Sequence, residues 1–179
     1  AGAEAISCLT EPKWFLGSDQ IFREIRQAVA TPMLRKDFTV DPYQLYQARL
    51  MGADCVLLLY ALLDTRTMAD YLALCDDLGL AALVEAHDEK EVASAVAAGA
   101  RIIGGNNRNL GDFSVNLDNA ARLRDRVPPG VLYVAESGVH RPADVAAVRA
   151  MGADGVLIGE ALMRAKDKSA MLNQFRRSV

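Results

Sequence analysis

Polar residues that could perform acid–base or anion-binding chemistry stand directly after short apolar runs of this chain. They recur along its length as Thr10, Glu11, Lys36, Asp37, Glu85, His87, Asn106, Asn107, Arg108, Glu136, Ser137, Gly138, Gly159 and Glu160. In a parallel β/α barrel the active site is built from the carboxyl ends of the strands and the loops that follow them. If the apolar runs are such strands, these residues belong to one site.

Lys36 is the candidate acid. It follows the run 32–35, where an ammonium group is partly desolvated and can act as an acid or stabilise an oxyanion. Strand alternation places Lys36 on the face of Leu34, with Arg35 on the opposite face. The alternative is a surface lysine in a charge cluster with Arg35 and Asp37.

Glu85 is the candidate second proton-transfer group. It closes the apolar run 80–84, and a carboxylate at the tip of so apolar a strand can have a raised pKa. The alternative is a carboxylate that caps the strand end or pairs with a neighbour. His87 could share the site, but Asp88 beside it is needed as a helix cap, so we expect His87 to orient the loop.

Groups suited to an anionic or hydroxylated ligand follow three later runs. Two glycines allow close backbone approach ahead of the amides and guanidinium of Asn106, Asn107 and Arg108. The segments Glu136-Ser137-Gly138 and Gly159-Glu160 end the last two runs, where such barrels bind phosphate through backbone amides. Consecutive asparagines and strand-to-helix glycines also occur in ordinary turns, so each segment alone is weak evidence.

Aromatic residues lie in two of the predicted loops. Trp14, Phe15 and Phe38 could stack against an aromatic substrate, although packing in the core or in a lid is the commoner role of such residues. A nucleophile triad, zinc-ligand spacing, a P-loop and a dinucleotide fingerprint are all missing from the sequence.

The elements that must position these residues are predicted from the alternation of apolar runs with amphipathic stretches, which is typical of a parallel α/β fold. The predicted strands are Ala5–Leu9, Pro32–Arg35, Cys55–Leu59, Ala81–Val84, Arg101–Ile103, Val131–Ala135 and Gly155–Ile158. Several are apolar throughout, which suits strands covered on both faces.

Helix starts and stops support this alternation. Ser18, Asp64 or Thr65, the pair Asp41-Pro42, and the capping-box pair Asp88 and Glu91 each mark a helix start. A Gly-Ala step precedes three of the strands, at Gly52, Gly99 and Gly152, where glycine can end a helix. The chain opens with the same step at Gly2. We expect a single domain over 1–179 that holds seven of the eight strands of a TIM (β/α)8 barrel and lacks the first unit.

Size and composition limit the function classes. A chain of 179 residues can bury about 70% of its unfolded surface. The net charge is −3 with acids and bases interspersed, which predicts no nucleic-acid or membrane partner. No apolar run is long enough to span a membrane and no signal peptide opens the chain, so we expect a cytoplasmic protein. The three cysteines, Cys8, Cys55 and Cys75, are expected to be reduced core thiols.

Taken together, these motifs resemble the indole-3-glycerol-phosphate synthase family in order and in spacing, over essentially the whole chain. The resemblance is carried by Ala5-Ile6-Ser7-Cys8-Leu9-Thr10-Glu11, Leu34-Arg35-Lys36-Asp37-Phe38, Asp41-Pro42-Tyr43-Gln44, Leu83-Val84-Glu85-Ala86-His87, Asn106-Asn107-Arg108-Asn109-Leu110 and Glu136-Ser137-Gly138. It implies a carboxy-lyase of tryptophan biosynthesis that closes the indole ring of 1-(2-carboxyphenylamino)-1-deoxyribulose 5-phosphate with loss of carbon dioxide and water. No metal or organic cofactor is expected.

The resemblance also implies roles for individual residues. Lys36 would be the general acid at the ribulose carbonyl oxygen, and Glu85 would transfer protons in the later dehydration. The remaining residues would contact substrate: Asn106, Arg108 and Glu136 bind and orient it, Phe15 and Phe38 flank its aromatic ring, and Ser137, Gly138, Gly159 and Glu160 bind its phosphate.

The sequence departs from the family pattern in three places. The family has an earlier strand with a catalytic glutamate and lysine, so we expect little or no turnover from these residues alone. Gly105 replaces an Ile or Val of the barrel interior, and a vacated branched side chain typically costs about 2–5 kcal/mol. Tyr60 replaces a smaller residue and would project into the barrel mouth.

Two alternatives to the synthase remain open. One is a non-catalytic barrel fragment or engineered scaffold that needs a complementing piece or pairs through the exposed edges of its first and last strands. The other is a different phosphate-binding barrel such as phosphoribosylanthranilate isomerase, which Lys36, Glu85 and the Asn-Asn-Arg segment disfavour.

Overall fold

Parallel strands alternate with helices along the chain. The computed structural model describes residues 2–107 and 118–178, and the following strands lie within them. They are β1 Ile6–Leu9, β2 Met33–Lys36, β3 Cys55–Leu59, β4 Ala81–Ala86, β5 Ile102–Asn106, β6 Leu132–Glu136 and β7 Gly155–Leu157. The predicted α/β class and all seven predicted strands are confirmed. Each strand begins and ends within three residues of its predicted boundary.

Helices follow the strands where the capping residues predict them. They are α1 Asp19–Ala28, α2 Tyr43–Met51, α3 Thr65–Leu78, α4 Glu89–Ala97, α5 Asp118–Arg124, α6 Pro142–Ala150, α7 Glu160–Arg164 and α8 Lys168–Arg176, with a 3-10 turn at Tyr60–Leu62. The side chains of Ser18 and Asp64 accept N–H groups of α1 and α3, which confirms both as caps. At α2 the cap is Pro42 instead of Asp41, whose carboxylate accepts the N–H of Tyr43.

The residues divide into two compact units. The amino-terminal unit comprises residues 3–85 and 97–100. Within it β1 pairs with β2, β2 with β3, and β3 with β4, all parallel. Its core consists of fully buried side chains from strands and helices, including Phe22, Met33, Leu45, Leu58 and Met68. Removing such side chains from water is the main force that holds α1, α2 and α3 against the strands.

The carboxy-terminal unit comprises residues 1–2, 86–96 and 101–179. Within it β5 pairs with β6 and β6 with β7, again parallel. Ile103, Leu123, Tyr133 and Val148 are fully buried there. The pairing brings the carboxyl ends of β5 and β6 side by side, with Asn106 opposite Glu136.

The void expected at Gly105 does not exist, so that expectation was wrong. A Cβ atom built on Gly105 would lie 1.9 Å from the hydroxyl oxygen of Tyr133 and 2.6 Å from its Cζ. Tyr133 lies on the adjacent strand two residues before Ala135, the register partner of Gly105, and is completely buried. Its ring fills the volume that a branched side chain at position 105 would take, because the two positions share one face of the sheet.

Two further expectations concern the cysteines and membranes. Cys8 and Cys75 are buried and Cys55 is half-buried, all three as free thiols, and burial raises the pKa of Cys75 to about 12. Among the helices described, none is both long and apolar enough to cross a bilayer.

Candidate active site

The amino-terminal unit brings Lys36 and Glu85 together. Lys36 ends β2 and Glu85 lies near the end of β4, and the Lys36 Nζ and Glu85 Oε2 atoms are 3.5 Å apart. The Glu85 side chain is 4% exposed and that of Lys36 is 23% exposed. An ammonium that reaches solvent beside a buried carboxylate can hold a proton and exchange it with a ligand. The two residues that the sequence singled out for proton transfer are therefore neighbours.

Arg35 occupies the opposite face of β2, as alternation predicts. It is buried, and its guanidinium contacts Thr10 and Asp37 as well as α2. The sequence pattern places Arg35 only beside Lys36 and does not predict this network. An arginine inside an otherwise apolar strand was the available signal, since buried charges require partners.

The loop after β1 is organised by Glu11. Its carboxylate accepts the backbone N–H groups of Lys13, Trp14 and Phe15 at 2.8, 2.6 and 2.9 Å. Burial raises the pKa of this carboxyl, but the three N–H groups and the Lys13 charge together lower it below its usual value. Gly17 donates its backbone N–H to the Glu11 carbonyl oxygen at 2.8 Å, which closes the loop. Only glycine fits at this position, because a Cβ would lie 2.3 Å from the Leu9 carbonyl oxygen.

Phe15 and Phe38 form an aromatic pair between the loops that follow β1 and β2. Their ring centroids are 6.0 Å apart and tilted by 52°. Phe15 is 52% exposed and Phe38 37% exposed, so much of each ring remains available to a ligand. Trp14 is more exposed and lies under the Lys13 ammonium, 4.8 Å from Nζ to the ring centroid.

In the carboxy-terminal unit two asparagines end β5. Asn106 is half-buried, and its carbonyl oxygen accepts an N–H of Asn119. Asn107 is buried, donates its backbone N–H to the Glu136 carbonyl and donates its side-chain amide to the Ser137 carbonyl at 3.1 Å. Asn107 thus ties the end of β5 to the loop after β6.

That loop has an unusual backbone. Ser137 has φ 66° and Gly138 has φ 85°, so two successive residues are left-handed. For a residue with a Cβ this conformation costs about 1–2 kcal/mol. Strain of this kind is concentrated at functional sites, and backbone amides that a turn directs to one side can bind an anion. Glu136 precedes them and is almost fully buried.

Gly159 and Glu160 begin α7. Gly159 is the N-cap, and an added Cβ there would meet nothing within 4 Å. The Glu160 carboxylate forms an ion pair with Arg164 at 3.0 Å along the helix. Its backbone N–H, not its side chain, is the group that could face an anion.

Three other residues from the sequence analysis can be assigned. Arg108 lies outside the described residues. His87 donates its backbone N–H to the Glu91 carboxylate, an arrangement that orders the loop before α4. Tyr60 binds Thr65 Oγ1 through its hydroxyl at the start of α3. Within residues 2–107 and 118–178, no cluster of three or more His, Cys, Asp or Glu side chains could hold a metal ion.

The chain is similar to proteins of one named family. A family model described as indole-3-glycerol phosphate synthase matches residues 1–175. The protein of that name from Ruminiclostridium cellulolyticum is 56% identical over 179 residues, which are 100% of this chain and 69% of that protein. The one from Leuconostoc mesenteroides is 49% identical over 176 residues, 98% of this chain and 67% of that protein.

Solved structures show the same fold at much lower identity. A 3-hexulose-6-phosphate synthase has a TM-score of 0.78 at 19% identity and covers 98% of this chain and 87% of its own. A 3-keto-L-gulonate-6-phosphate decarboxylase from Vibrio cholerae has a TM-score of 0.78 at 16% identity, with 98% and 84% covered. This likeness confirms the predicted barrel-type α/β fold class.

Proposed function

The chain belongs to the indole-3-glycerol phosphate synthase family, and we propose that Lys36 and Glu85 carry the proton transfers of that family's reaction. Members of the family are carboxy-lyases of tryptophan biosynthesis. They convert 1-(2-carboxyphenylamino)-1-deoxyribulose 5-phosphate to indole-3-glycerol phosphate with loss of carbon dioxide and water. The observation that carries the assignment is the 3.5 Å distance between Lys36 Nζ and Glu85 Oε2 at the carboxyl ends of β2 and β4.

Lys36 is assigned the role of general acid in ring closure. The anilinic ring carbon attacks the ribulose carbonyl carbon, and the carbonyl oxygen gains negative charge as the bond forms. An ammonium at that oxygen donates a proton and so lowers the barrier, as positioned acids typically do by 10²–10⁴-fold. Partial exposure suits this role, because the Lys36 side chain must reach substrate and exchange its proton.

Glu85 is assigned proton transfer in the second half of the reaction. After carbon dioxide leaves, the new hydroxyl takes a second proton and departs as water, and a proton is removed from the adjacent ribulose carbon so that the pyrrole ring becomes aromatic. A buried carboxylate beside Lys36 can return the proton that Lys36 has given, since the two groups are within exchange distance. Because two protons are given and one is removed, the pair regains its starting protonation state by taking one further proton from solvent, which the partly exposed Lys36 reaches.

The remaining site residues are proposed to hold the substrate. Phe15 and Phe38 present exposed rings for the anthranilate ring. The left-handed Ser137 and Gly138, with the backbone at Gly159 and Glu160, offer amides to the phosphate. Asn106, Glu136 and Arg108 are assigned to the hydroxyl and carboxylate groups of the substrate by family resemblance.

The phosphate-binding role is a proposal supported by the glycine-bearing loops after β6 and β7. A cytoplasmic location is also a proposal, supported by three cysteines that form no disulfide. The alternatives of a non-catalytic scaffold and of phosphoribosylanthranilate isomerase are not favoured, because the matching family model and the named relatives are synthases.

The decisive test is the variant Lys36→Met in purified protein, assayed by the fluorescence of the indole product. We expect kcat to fall by 10²–10⁴-fold while the circular dichroism spectrum is unchanged. Lys90→Met, on the exposed face of α4, is the matched control and should retain normal turnover. Normal turnover by Lys36→Met would remove Lys36 from the role of acid. Because the family's earlier strand carries a catalytic glutamate and lysine, the parent protein and its variants are assayed in a form that includes that strand, and absence of turnover there would reject the proposed activity.

A further inference from the structure

Arg35 has a set of contacts that the proposed reaction does not use. Its side chain is 5% exposed, and its Nε and Nη2 atoms donate to Thr10 Oγ1 and Asp37 Oδ2, each at 3.1 Å. Its Nη1 donates to the Gln44 carbonyl oxygen at 3.2 Å. The guanidinium therefore joins the end of β1, the loop after β2 and the first turn of α2.

Thr10 and Asp37 also bind each other, which closes a triangle with Arg35. Thr10 Oγ1 donates to Asp37 Oδ2 at 2.6 Å, and the other carboxylate oxygen of Asp37 accepts the backbone N–H of Phe38 at 2.8 Å. Each corner of the triangle is thus bonded to the other two. A guanidinium suits this place because its donors diverge in one plane, which an ammonium group cannot reproduce.

The triangle fixes the backbone from which the loops carrying Phe15 and Phe38 begin. Thr10 immediately precedes Glu11, whose carboxylate holds the N–H of Phe15, and Asp37 immediately precedes Phe38. Arg35 itself immediately precedes Lys36. A shift of the guanidinium would therefore move the Phe15–Phe38 pair and the acid together.

We propose that Arg35 is a positioning residue for this reaction, which sets the place of the Phe15–Phe38 pair and of Lys36 from the opposite face of β2. The inference rests on the proposed function and deepens it by adding a residue that never touches substrate. Its effect on the reaction passes through Thr10 and Asp37.

Arg26 provides a matched comparison within the same unit. Its guanidinium also pairs with a carboxylate, that of Asp54 at 2.9 Å, and also donates to backbone carbonyls, those of Val29 and Thr31. Asp54 stands before β3, so the Arg26 contacts are at the amino ends of the strands, whereas those of Arg35 are at the carboxyl ends. Loss of Arg26 should affect folding without affecting the site.

The test compares Arg35→Ala, Arg35→Lys and Arg26→Ala by kcat and KM and by acrylamide quenching of Trp14, the single tryptophan of the chain. Because displacement of reacting groups by about 1 Å can cost 10²-fold, we expect kcat/KM to fall by about that factor in Arg35→Ala. Trp14 quenching should also change. Guanidinium chloride at about 20 mM should partly restore Arg35→Ala, and Arg26→Ala should lower stability alone.

Several outcomes separate this inference from the proposed function. Unchanged kcat, KM and Trp14 quenching in folded Arg35→Lys and Arg35→Ala would overturn the positioning role and leave the proposed function intact. If Arg35→Ala does not fold, Thr10→Val opens the triangle without removing the buried charge, and it should shift kcat/KM and quenching in the same direction. If the parent protein shows no turnover, Trp14 quenching in Thr10→Val and Arg35→Lys still decides the inference.

Discussion

The two units hold their polar residues by different physical means. In the amino-terminal unit charged side chains hold one another: Lys36 contacts Glu85, and Arg35 is surrounded by Thr10, Asp37 and α2. In the carboxy-terminal unit the backbone itself is shaped, with left-handed Ser137 and Gly138.

This difference fits the different roles that we propose for the residues of each unit. Moving protons requires ionisable side chains whose charges are held by neighbours, which the amino-terminal unit supplies. Binding a phosphate requires amides fixed in advance, which a constrained backbone supplies without any ionisable group. We therefore expect substitutions in the amino-terminal unit to change mainly kcat, and backbone substitutions in the carboxy-terminal unit to change mainly affinity.

The largest expected effect is that of Glu85→Gln. The amide keeps the shape of the carboxylate but cannot exchange the proton, so kcat should fall by 10²–10⁴-fold with a much smaller change in KM. Glu136→Gln is the matched variant, since Glu136 is also a nearly buried glutamate near the end of a strand. We expect its main effect to be on KM. Single-turnover kinetics would check both, and the opposite pattern would break the comparison between the units.

A second prediction concerns the glycine in β5. Gly105→Ala puts a methyl group 1.9 Å from the Tyr133 hydroxyl oxygen, so the packed ring must move. Overpacking of this kind typically costs about 1–3 kcal/mol, which urea unfolding would measure. In a Tyr133→Leu background the same substitution should cost less, with a coupling of about 0.5–3 kcal/mol. Additive effects would show that Tyr133 is not what requires glycine here.

A third prediction tests the backbone of the carboxy-terminal unit. Gly138 has φ 85°, and alanine in that conformation costs about 1–2 kcal/mol. Gly138→Ala should weaken the inhibition of turnover by inorganic phosphate by about 5- to 30-fold. The reason is that alanine destabilises the left-handed conformation in which the amides face the anion. Gly130→Ala is the control, with φ 89° and nothing within 4 Å of the added Cβ. Equal phosphate affinity in both variants would remove Gly138 from the phosphate site.

Much of the fold could be predicted because its determinants are local. The strand Cys55–Leu59 was predicted at both ends, and Ser18 and Asp64 cap their helices as expected. Asp41 and Pro42 were misplaced by one position, because proline and aspartate can both start a helix and only the backbone conformation decides between them.

The site was predictable only where position along a strand determines a role. Lys36 and Glu85 were found because each follows an apolar run. The Arg35 network and the filling of Gly105 by Tyr133 depend on contacts between separate strands, which no single segment specifies. The expected void at Gly105 failed for this reason: the volume was assigned from one strand, and the residue that fills it belongs to another.

The smallest effect is expected from substitution of Glu11. Its carboxylate orders the backbone of the loop after β1, so the amino-terminal unit also contains a constrained backbone. The pKa of Glu11 is lowered because its three backbone N–H bonds and Lys13 outweigh burial, which alone would raise it. A carboxyl with a lowered folded-state pKa stabilises its loop above the ordinary pKa, and this stabilisation is lost as the pH falls through the folded-state value. Acrylamide quenching of Trp14 should therefore be constant near neutrality and change only below the usual carboxyl range.

In Glu11→Gln this acid step should be absent, whereas Glu24→Gln, an exposed glutamate on α1, should retain it. An acid step that persists in Glu11→Gln would assign the ordering of the loop to Gly17 and the Arg35 triangle instead. The loop before Phe15 would then be held in the same way as the rest of its unit. Loss of the step would instead show that a carboxylate can fix a backbone in the amino-terminal unit, as left-handed residues do in the other.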